Sequence, residues 1–376
     1  MSRSSALDGP ADSGYTWPSV KPKVTWSEQA RGALLGLGAA ALFGLSAPLA
    51  KLLLGAIAPV RLAGLLYLGA AGGLWLHRAW GASSREAKLA REDLAPLGLV
   101  VVLGGILGPV LMLLGLRRVS ALTGSLLLNL EAPLTVLFAV ALFGEHLGRS
   151  AFLAVIFIFG GASLLGLGGG TGLGLAADWF GGALLAAACA CWALDNNLTQ
   201  RLSLRDPFAI VRIKTLIAGV VNTLLGFVFA GSQAPPLAAM AGALVLGSAS
   251  YGLSVVADAY ALRLVGAARE AAYFATAPFV GACVSIVFLA DPLRARDVAA
   301  LACMVAGVVF LARERHSHEH EHEALQHAHL HRHDAHHQHA HAGGDPEGEP
   351  HSHIHRHEPL VHEHPHVPDA HHRHRH

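Results

Sequence analysis

The chain has 376 residues, of which 53% are hydrophobic and only 14% are charged, and its formal net charge is +1. Soluble globular proteins carry about 25% charged residues, so this composition excludes an ordinary water-soluble fold and predicts an integral membrane protein. The near-neutral charge gives no sign of a nucleic-acid partner, and none is expected.

Ten apolar runs follow one another from residue 31 onward with short breaks between them. A helix crosses the hydrocarbon core with about 20 apolar residues, and helices satisfy their own backbone hydrogen bonds in lipid. The predicted fold is therefore all-α and integral to the membrane. Its ten transmembrane helices are expected at residues 33–54, 59–75, 97–116, 122–143, 152–167, 182–198, 208–229, 237–262, 271–289 and 298–311.

An internal repeat divides this region into two halves. Residues 32–35 match residues 182–185, which aligns Lys51 with Arg201. Five spans per half is an odd number, so the second half is predicted to be inverted relative to the first, as in many secondary transporters. The predicted domains are a polar and disordered N-terminal segment (1–30), the first repeat (31–168), a linker (169–181), the second repeat (182–315) and a histidine-rich tail (316–376).

The lysines and arginines of the short loops predict the orientation. If the N-terminus is inside, the outer loops receive only Arg117, Arg118, Arg294 and Arg296, and the remaining loop cations face inward. This asymmetry fits the positive-inside rule. We therefore expect a multi-pass protein of the plasma (inner) membrane with both termini cytoplasmic.

Three segments carry a family signature. Residues 41–51 read Ala-Leu-Phe-Gly-Leu-Ser-Ala-Pro-Leu-Ala-Lys, Pro59-Val60-Arg61 opens the second span, and residues 130–133, Leu-Glu-Ala-Pro, are followed by Phe143-Gly144-Glu145. Over residues 31–315 the chain resembles the EamA-type members of the drug/metabolite transporter superfamily. The resemblance implies two inverted five-helix halves and transport of a small solute. The second half departs from the pattern, since its segment Thr276-Ala277-Pro278 has no counterpart of Glu131 two residues before the proline.

Glu131 is the leading candidate for a functional residue, because it lies midway along an apolar span. A carboxylate at that depth is costly in lipid and is expected to face a cavity or a partner, where it could carry a proton. The alternative is a structural glutamate that holds two helices together. Further polar residues at similar predicted depth could line the same cavity: Asn129, Asp195, Asn196, Asn197, Tyr251, Asp258, Glu270 and Tyr273.

Some charges are open to a plainer interpretation. Asp195 and Glu270 lie near span ends, where lipid headgroups and neighbouring arginines could satisfy them. Four cations also lie just inside span ends: Lys51, Arg61, Arg212 and Lys214. Snorkelling to the interface is expected of them, and binding of an anionic substrate is the alternative.

The tail from residue 316 holds 23 of the 25 histidines, because only His77 and His146 precede it. It has no apolar core and is predicted to be disordered. Imidazoles at this density suit Zn²⁺, Ni²⁺, Co²⁺ or Cu²⁺, although a low-complexity extension without a role is the alternative. The predicted metal ligands are His316, His318, His320, His322, His327, His329, His331, His333, His351, His353, His355 and His357.

These observations leave two main functions open. The first is a secondary transporter of a small polar solute that moves by alternating access and requires no cofactor, with coupling to protons left open. The second is a transporter of a transition-metal ion or its chelate, in which the tail buffers or senses the metal. No nucleotide-binding loop or nucleophile–base arrangement is visible in the sequence, so an enzyme or an ATP-driven pump is not expected. The expected partners are the lipid bilayer and the transported solute or metal, and a homodimer is left open.

Overall fold

The structure, a computed structural model, describes residues 26–79, 89–144, 147–166, 175–202, 205–231, 233–313, 316–322, 325–331, 351–357 and 360–366. Up to residue 313 the elements are helices. They are α1 (Trp26–Gly44), α2 (Ser46–Leu53), α3 (Pro59–Ala79), α4 (Leu94–Val100), α5 (Gly108–Leu116), α6 (Ala121–Leu127), α7 (Glu131–Phe143), α8 (Arg149–Gly166), α9 (Leu175–Arg201), α10 (Pro207–Ala230), α11 (Leu237–Gly247), α12 (Ser254–Val265), α13 (Ala267–Phe274), α14 (Ala277–Phe288) and α15 (Ala295–Ala312).

Several spans are assembled from more than one helical element. A π-helical segment, Val101–Leu107, joins α4 to α5, and a second one, Ser248–Leu253, joins α11 to α12. A 3₁₀ turn, Leu128–Leu130, joins α6 to α7, and another, Arg91–Asp93, precedes α4. Segments of this kind change the local hydrogen-bond pattern and often mark hinges or functional sites.

Among the residues that the structure describes, nine helical stretches are long and apolar enough to cross a membrane. They coincide with nine of the ten predicted spans. The predicted sixth span corresponds to α9, which has 27 residues but carries Asp195, Asn196 and Asn197 near its end. The all-helical membrane fold is therefore confirmed, and the tenth crossing stays a prediction. Of the predicted N-terminal segment and linker, residues 1–25 and 169–174 lie outside the described residues.

The helix pairs reflect the two halves of the chain. The second span (α3) packs on the seventh (α10), and the fifth (α8) packs on the last (α15). The first span (α1) packs on the eighth (α12), and the third (α5) packs on the sixth (α9). If each span is replaced by its counterpart in the other half, the same pairs of spans result. The two π-helical segments also fall in corresponding spans, the third and the eighth. One hydrophobic core runs through both halves.

The two halves run in opposite directions. α1 lies parallel to α13 and α14, and α14 lies antiparallel to α6. α6 and α7 lie parallel to α9. It follows that α9, the first span of the second half, runs antiparallel to α1, the first span of the first half. The neighbouring positions are Gly36 with Tyr273, Gly44 with Ala277, Ser125 with Gly281, Leu122 with Asp291, Leu127 with Cys189, and Thr135 with Asn197.

Glycines allow the closest helix contacts. A Cβ at Gly69 in α3 would overlap the carbonyl oxygen of Leu244 in α11, and one at Gly247 would overlap the carbonyl oxygen of Leu66. Small residues at such points let helices associate where water supplies no hydrophobic drive. A Cβ at Gly72, less than one turn from Gly69, would meet no heavy atom within 4 Å.

This contrast gives a direct test of the packing. We expect Gly69→Ala to lower the free energy of unfolding by about 1–3 kcal/mol, because the backbones must separate to admit the methyl group. The matched control Gly72→Ala should be neutral or stabilising by up to about 1 kcal/mol, since alanine is the better helix former. Thermal unfolding of the purified variants in detergent measures both, and equal melting temperatures would contradict the close α3–α11 contact.

Two cations at span ends bond to helix carbonyls within the protein. Lys51 Nζ donates to the carbonyls of Leu116, at 2.5 Å, and Val119, at 2.8 Å. Arg61, which is 5% exposed, donates to the carbonyl of Gly226 near the end of α10 and to those of Gly231 and Gln233 just beyond it. Cations favour helix C-termini because the last carbonyls lack partners there. For Lys51 the predicted snorkelling is therefore replaced by a bond to a neighbouring helix end.

Four short strands lie in the tail: β1 (His316–His322), β2 (Leu325–His331), β3 (His351–His357) and β4 (Leu360–His366). β1 pairs with β4 and β2 pairs with β3, both antiparallel. These segments differ from the disorder that the composition predicted. The physical reason lies in their alternating pattern, because a period of two residues matches a strand. His333 and the remaining tail residues lie outside the described residues.

Candidate functional site

Glu131 lies where the fourth span changes from a 3₁₀ turn to a helix. It is the first residue of α7, and Pro133 follows two positions later. A proline near a helix start is tolerated because its missing N–H would have no partner there. The Thr135 hydroxyl donates to the Glu131 carbonyl at 2.9 Å. The break in the helix therefore holds the carboxylate at a fixed position inside the span.

The side chain of Glu131 meets the end of α9. Asn196 Nδ2 donates to Glu131 Oε1 at 2.8 Å. Glu131 is partly buried and Asn196 is exposed, so the carboxylate is not sealed within the helix packing. A carboxylate has about four lone-pair sites, and this bond uses one of them.

A buried ion pair lies next to this contact. Lys214 Nζ of α10 bonds to Asp195 Oδ2 of α9, and the two side chains are 17% and 5% exposed. Thr199 adds its hydroxyl to Asp195 Oδ1 at 3.4 Å. Asp195 and Lys214 are both close enough to interact electrostatically with Glu131. Two carboxylates and one ammonium group therefore share this part of the bundle.

The π-helical segment of the third span makes room for the ion pair. A Cβ at Gly104 would overlap the Asp195 carboxylate. The Gly104 carbonyl also accepts the Tyr67 hydroxyl at 2.8 Å and the Trp192 indole N–H at 3.1 Å. Asn222 donates to the Gly105 carbonyl at 3.2 Å. The altered backbone pattern of a π-helix thus presents carbonyls to side chains from three neighbouring helices.

Tyr251 connects this region to the opposite π-helical segment. Its ring lies 5.7 Å from the ring of Tyr67 and 5.7 Å from that of Phe43, and its hydroxyl lies close to the side chain of Ser46. Tyr251 is 8% exposed and interacts electrostatically with Glu131. This predicted site residue is therefore part of the same polar region, as a buried aromatic with one polar tip.

Asp258 and Glu270 form a second acidic pair. Their carboxyl groups lie close enough to interact with each other, and Asp258 Oδ1 is buried without a hydrogen-bond partner among the described residues. Two neighbouring carboxylates disfavour each other's charge, so this pair is a second place in the bundle where a proton could bind. Tyr273, one turn further along the chain, packs its ring against Gly36 of α1.

The two remaining predicted amides bond to helix backbones. Asn129, which is 4% exposed, donates to the Leu126 carbonyl at 3.0 Å and lies 3.8 Å from the sulfur of Met304. Asn197 donates to the carbonyls of Thr135 and Ala193, at 3.0 and 2.8 Å. Both amides therefore hold helices together at these positions.

The structure adds two residues that the sequence did not single out for this site. Lys214 was expected to snorkel, and Tyr67 was not considered. For Lys214 the signal was present, since Asp195 lies six residues before the end of α9 and Lys214 lies seven residues after the start of α10. Opposite charges at equal depth in consecutive spans predict a pair. Nothing in the sequence indicated the bond of Tyr67 to Gly104.

No group of three or more His, Cys, Asp or Glu side chains in the described part of the chain could hold a metal ion. The backbones of the predicted tail ligands, except His333, lie in β1, β2 and β3, but the positions of their side chains are outside that description. The membrane helices and the predicted metal site are therefore separate parts of the chain.

Comparisons with known proteins agree with the fold. The model of the EamA-like transporter family matches residues 30–167 and 179–313. An uncharacterized transporter of Methanothermobacter thermautotrophicus is 29% identical over 282 residues, which are 72% of this chain and 82% of the relative. An uncharacterized protein of Pseudomonas aeruginosa is 30% identical over 199 residues, 53% of this chain and 67% of the relative. A solved crystal structure with 22% identity and a TM-score of 0.56, covering 74% of this chain and 97% of that one, shares the fold.

Proposed function

The chain belongs to the EamA-like transporter family, and from this premise we propose that it is a secondary transporter that moves a small polar solute by alternating access. The proposed coupling ion is the proton, and the proposed carrier is Glu131. The observation that supports this most directly is the contact of Glu131 with Asn196 beside the Asp195–Lys214 pair. Ionisable groups within spans are costly and mark substrate or ion pathways.

The polar groups around Glu131 suit a polar organic solute. Asn196 and Glu131 offer an amide and a carboxylate at an accessible position. The aromatic side chains of Tyr67 and Trp192 bond to the Gly104 carbonyl, and Gly104 contacts the carboxylate of Asp195, the residue before Asn196. Binding sites of small molecules combine apolar and aromatic walls with a few polar groups that fix orientation. A solute with a donor could bond to the free lone pairs of Glu131 and displace Asn196.

Proton binding at Glu131 would change the charges of this region. When Glu131 is ionised, Lys214 is attracted to two carboxylates, Asp195 and Glu131. When Glu131 holds a proton, the attraction to Asp195 alone remains, and the Glu131 hydroxyl becomes a donor. The two protonation states of Glu131 thus offer the solute different hydrogen-bond partners. Coupling of solute to proton requires such a difference, because a ligand shifts an equilibrium only if it binds the two states with different affinity.

The broken spans provide places where the halves could move. The third, fourth and eighth spans each contain a π-helical or 3₁₀ segment, and those of the third and fourth lie directly beside the Glu131 region. Transporters with inverted repeats place their sites at such interruptions, and one half rocks against the other around the site.

We place the chain in the plasma membrane as ten spans with cytoplasmic termini, as the loop arginines suggest; a homodimer is compatible with this arrangement.

The tail supports a second candidate, a transporter of a divalent transition-metal ion or its chelate. Its support is the histidine content and the strand register, which sets His327 opposite His355 and His329 opposite His353. Directly opposed strand residues lie about 5 Å apart, and alternate residues share a face of the strand. The tail would then buffer or sense Zn²⁺, Ni²⁺, Co²⁺ or Cu²⁺ on the cytoplasmic side.

A growth comparison separates the two candidates. A strain that lacks the gene is complemented with the full chain, with residues 1–315, or with an empty vector, and is challenged with polar metabolites, antimetabolites and the four metals. If a polar organic solute is the substrate, both forms of the protein should change growth on it equally. A change of metal tolerance that requires the tail would favour the second candidate instead. No difference from the empty vector under any challenge would contradict both.

A further inference from the structure

A cleft of about 750 Å³ opens at the end of the bundle that carries the α5–α6 and α14–α15 turns. Its walls are α6, the second half of α8, the first half of α9 and the start of α15. The volume lies in the range of small-molecule sites. Leu130 lines the cleft, but Glu131 and the residues bonded to it do not, so the cleft is distinct from the site described above.

The mouth of the cleft is positively charged. Arg294 and Arg296 line it together with Asp297, which gives two positive charges and one negative. Asp297 is 3% exposed, and its carboxylate is occupied by the backbone N–H of Arg294 at 2.9 Å and by Arg296 Nε at 3.5 Å. It therefore neutralises the arginines only in part.

The arginine side chains retain donors for a ligand. Arg294 is exposed, so its guanidinium is open to a ligand. Arg296 Nε forms an ion pair with Asp297 Oδ1 at 3.5 Å and makes no hydrogen bond within the described part of the chain, while the Arg296 side chain as a whole is 25% exposed. Both lie at the start of α15, whose first N–H groups add positive potential. The Ser120 and Thr123 hydroxyls, which bond to each other at 3.0 Å, add polar atoms to the same end of the cleft.

The interior of the cleft is apolar. From the mouth inward, the wall formed by α6 and the 3₁₀ turn changes from Ser120 and Thr123 to Leu127 and Leu130, and α8 adds Phe159. Ten residues of helix separate Ser120 from Leu130, or about 15 Å at 1.5 Å per residue. The hydrocarbon core is about 30 Å thick, so the apolar part reaches about as deep as one leaflet.

One edge of the cleft faces lipid. Trp179 lines it and is 66% exposed, and in a membrane-spanning bundle such an exposed aromatic contacts the bilayer. Tryptophan is enriched at the level of the headgroups. A molecule that enters along Trp179 would bring its polar end to the arginines and its apolar end between α6 and α8.

We propose that this cleft binds an anionic amphiphile, and that its occupant in the membrane is an anionic lipid. The acidic headgroup bonds to Arg294 and Arg296, and one acyl chain lies along Leu127, Leu130 and Phe159. Phosphate accepts from arginine in pairs of parallel hydrogen bonds, which makes the headgroup the source of selectivity. The site does not depend on the transported solute.

The test uses the purified full chain in detergent and measures quenching of tryptophan fluorescence by brominated lipids. Brominated phosphatidylglycerol should quench at about tenfold lower concentration than brominated phosphatidylcholine with the same chains, because only the former leaves a net negative headgroup for the arginines. Trp179→Phe identifies the part of the signal that arises in the cleft. Dodecyl phosphate, a soluble amphiphile of the same chemistry, should compete with the brominated phosphatidylglycerol.

The arginine variants decide the outcome. Arg294→Gln with Arg296→Gln should abolish the tenfold preference, whereas Arg117→Gln, a loss of charge at the same end but outside the cleft, should keep it. Arg294→Lys with Arg296→Lys should keep most of it, which shows that the site survives substitution. Equal quenching by both lipids, or an unchanged preference in the double glutamine variant, would overturn the proposal. Binding of dodecyl phosphate without any binding of phosphatidylglycerol would overturn the assignment to a lipid.

Discussion

Proteoliposomes that contain the Glu131→Gln variant should lose uphill transport while keeping exchange. With one proton per neutral solute, a gradient of two pH units drives accumulation of about 100-fold, since each unit corresponds to about 1.4 kcal/mol and thus a factor of ten. The wild-type protein should approach this value for the solute identified by the growth comparison. The variant should show none, because glutamine can accept the Asn196 bond but cannot bind and release a proton.

Exchange of labelled for unlabelled solute without a gradient is the second readout. It requires binding and alternating access but no net proton movement, so the variant should retain it and thereby prove to be folded. Glu92→Gln is the matched control, because Glu92 is 77% exposed and pairs with Arg205 away from the site. If accumulation by Glu131→Gln still followed the pH gradient, the proton would be carried elsewhere, and the Asp258–Glu270 pair would become the first alternative.

The sequence allowed the spans to be predicted because each is a long apolar run, and the two halves because five spans recur with the same cations. It could not show which way the polar residues face. In a helix whose surroundings are apolar on every side, there is no polar stripe that fixes the rotation. Consecutive residues differ by about 100°, and Asp195, Asn196 and Asn197 accordingly meet Lys214, Glu131 and the Thr135 carbonyl.

The breaks within spans were less accessible still. Pro133 is a sign in the sequence of a break near Glu131, because proline interrupts a helix, and the structure has a 3₁₀ turn there. The π-helical segments of the third and eighth spans carry no comparable signal. Gly104 and Gly105 merely permit the close approach of Asp195 and of Asn222, and glycines are common throughout the chain. Which side-chain donor reaches which of these carbonyls depends on contacts between helices that are far apart in sequence, so these bonds could not be predicted from the sequence.

Removal of either partner of the Asp195–Lys214 pair is expected to destabilise the protein more than any other single change considered above. Both side chains are largely buried, and a buried charge without its partner costs about 3–5 kcal/mol. Lys214→Met leaves the Asp195 carboxylate with the Thr199 hydroxyl and the nearby negative charge of Glu131, so the loss should lie at the upper end of this range. Thermal unfolding of the purified variant in detergent measures the effect.

The double variant separates the pair from the rest of the packing. Asp195→Asn with Lys214→Gln removes both charges but retains hydrogen-bonding groups, and replacing a buried ion pair by neutral side chains is often neutral or stabilising. It should therefore recover most of the stability that Lys214→Met loses. The pair of Glu92 with Arg205 serves as control, because Glu92 is 77% exposed and Glu92→Gln should cost at most about 1 kcal/mol. If the double variant is as unstable as Lys214→Met, the loss of stability arises from lost packing of the Lys214 stem and not from an unpaired charge. The charge of Lys214 would then contribute little to holding α9 against α10, and its role would be the interaction with Glu131.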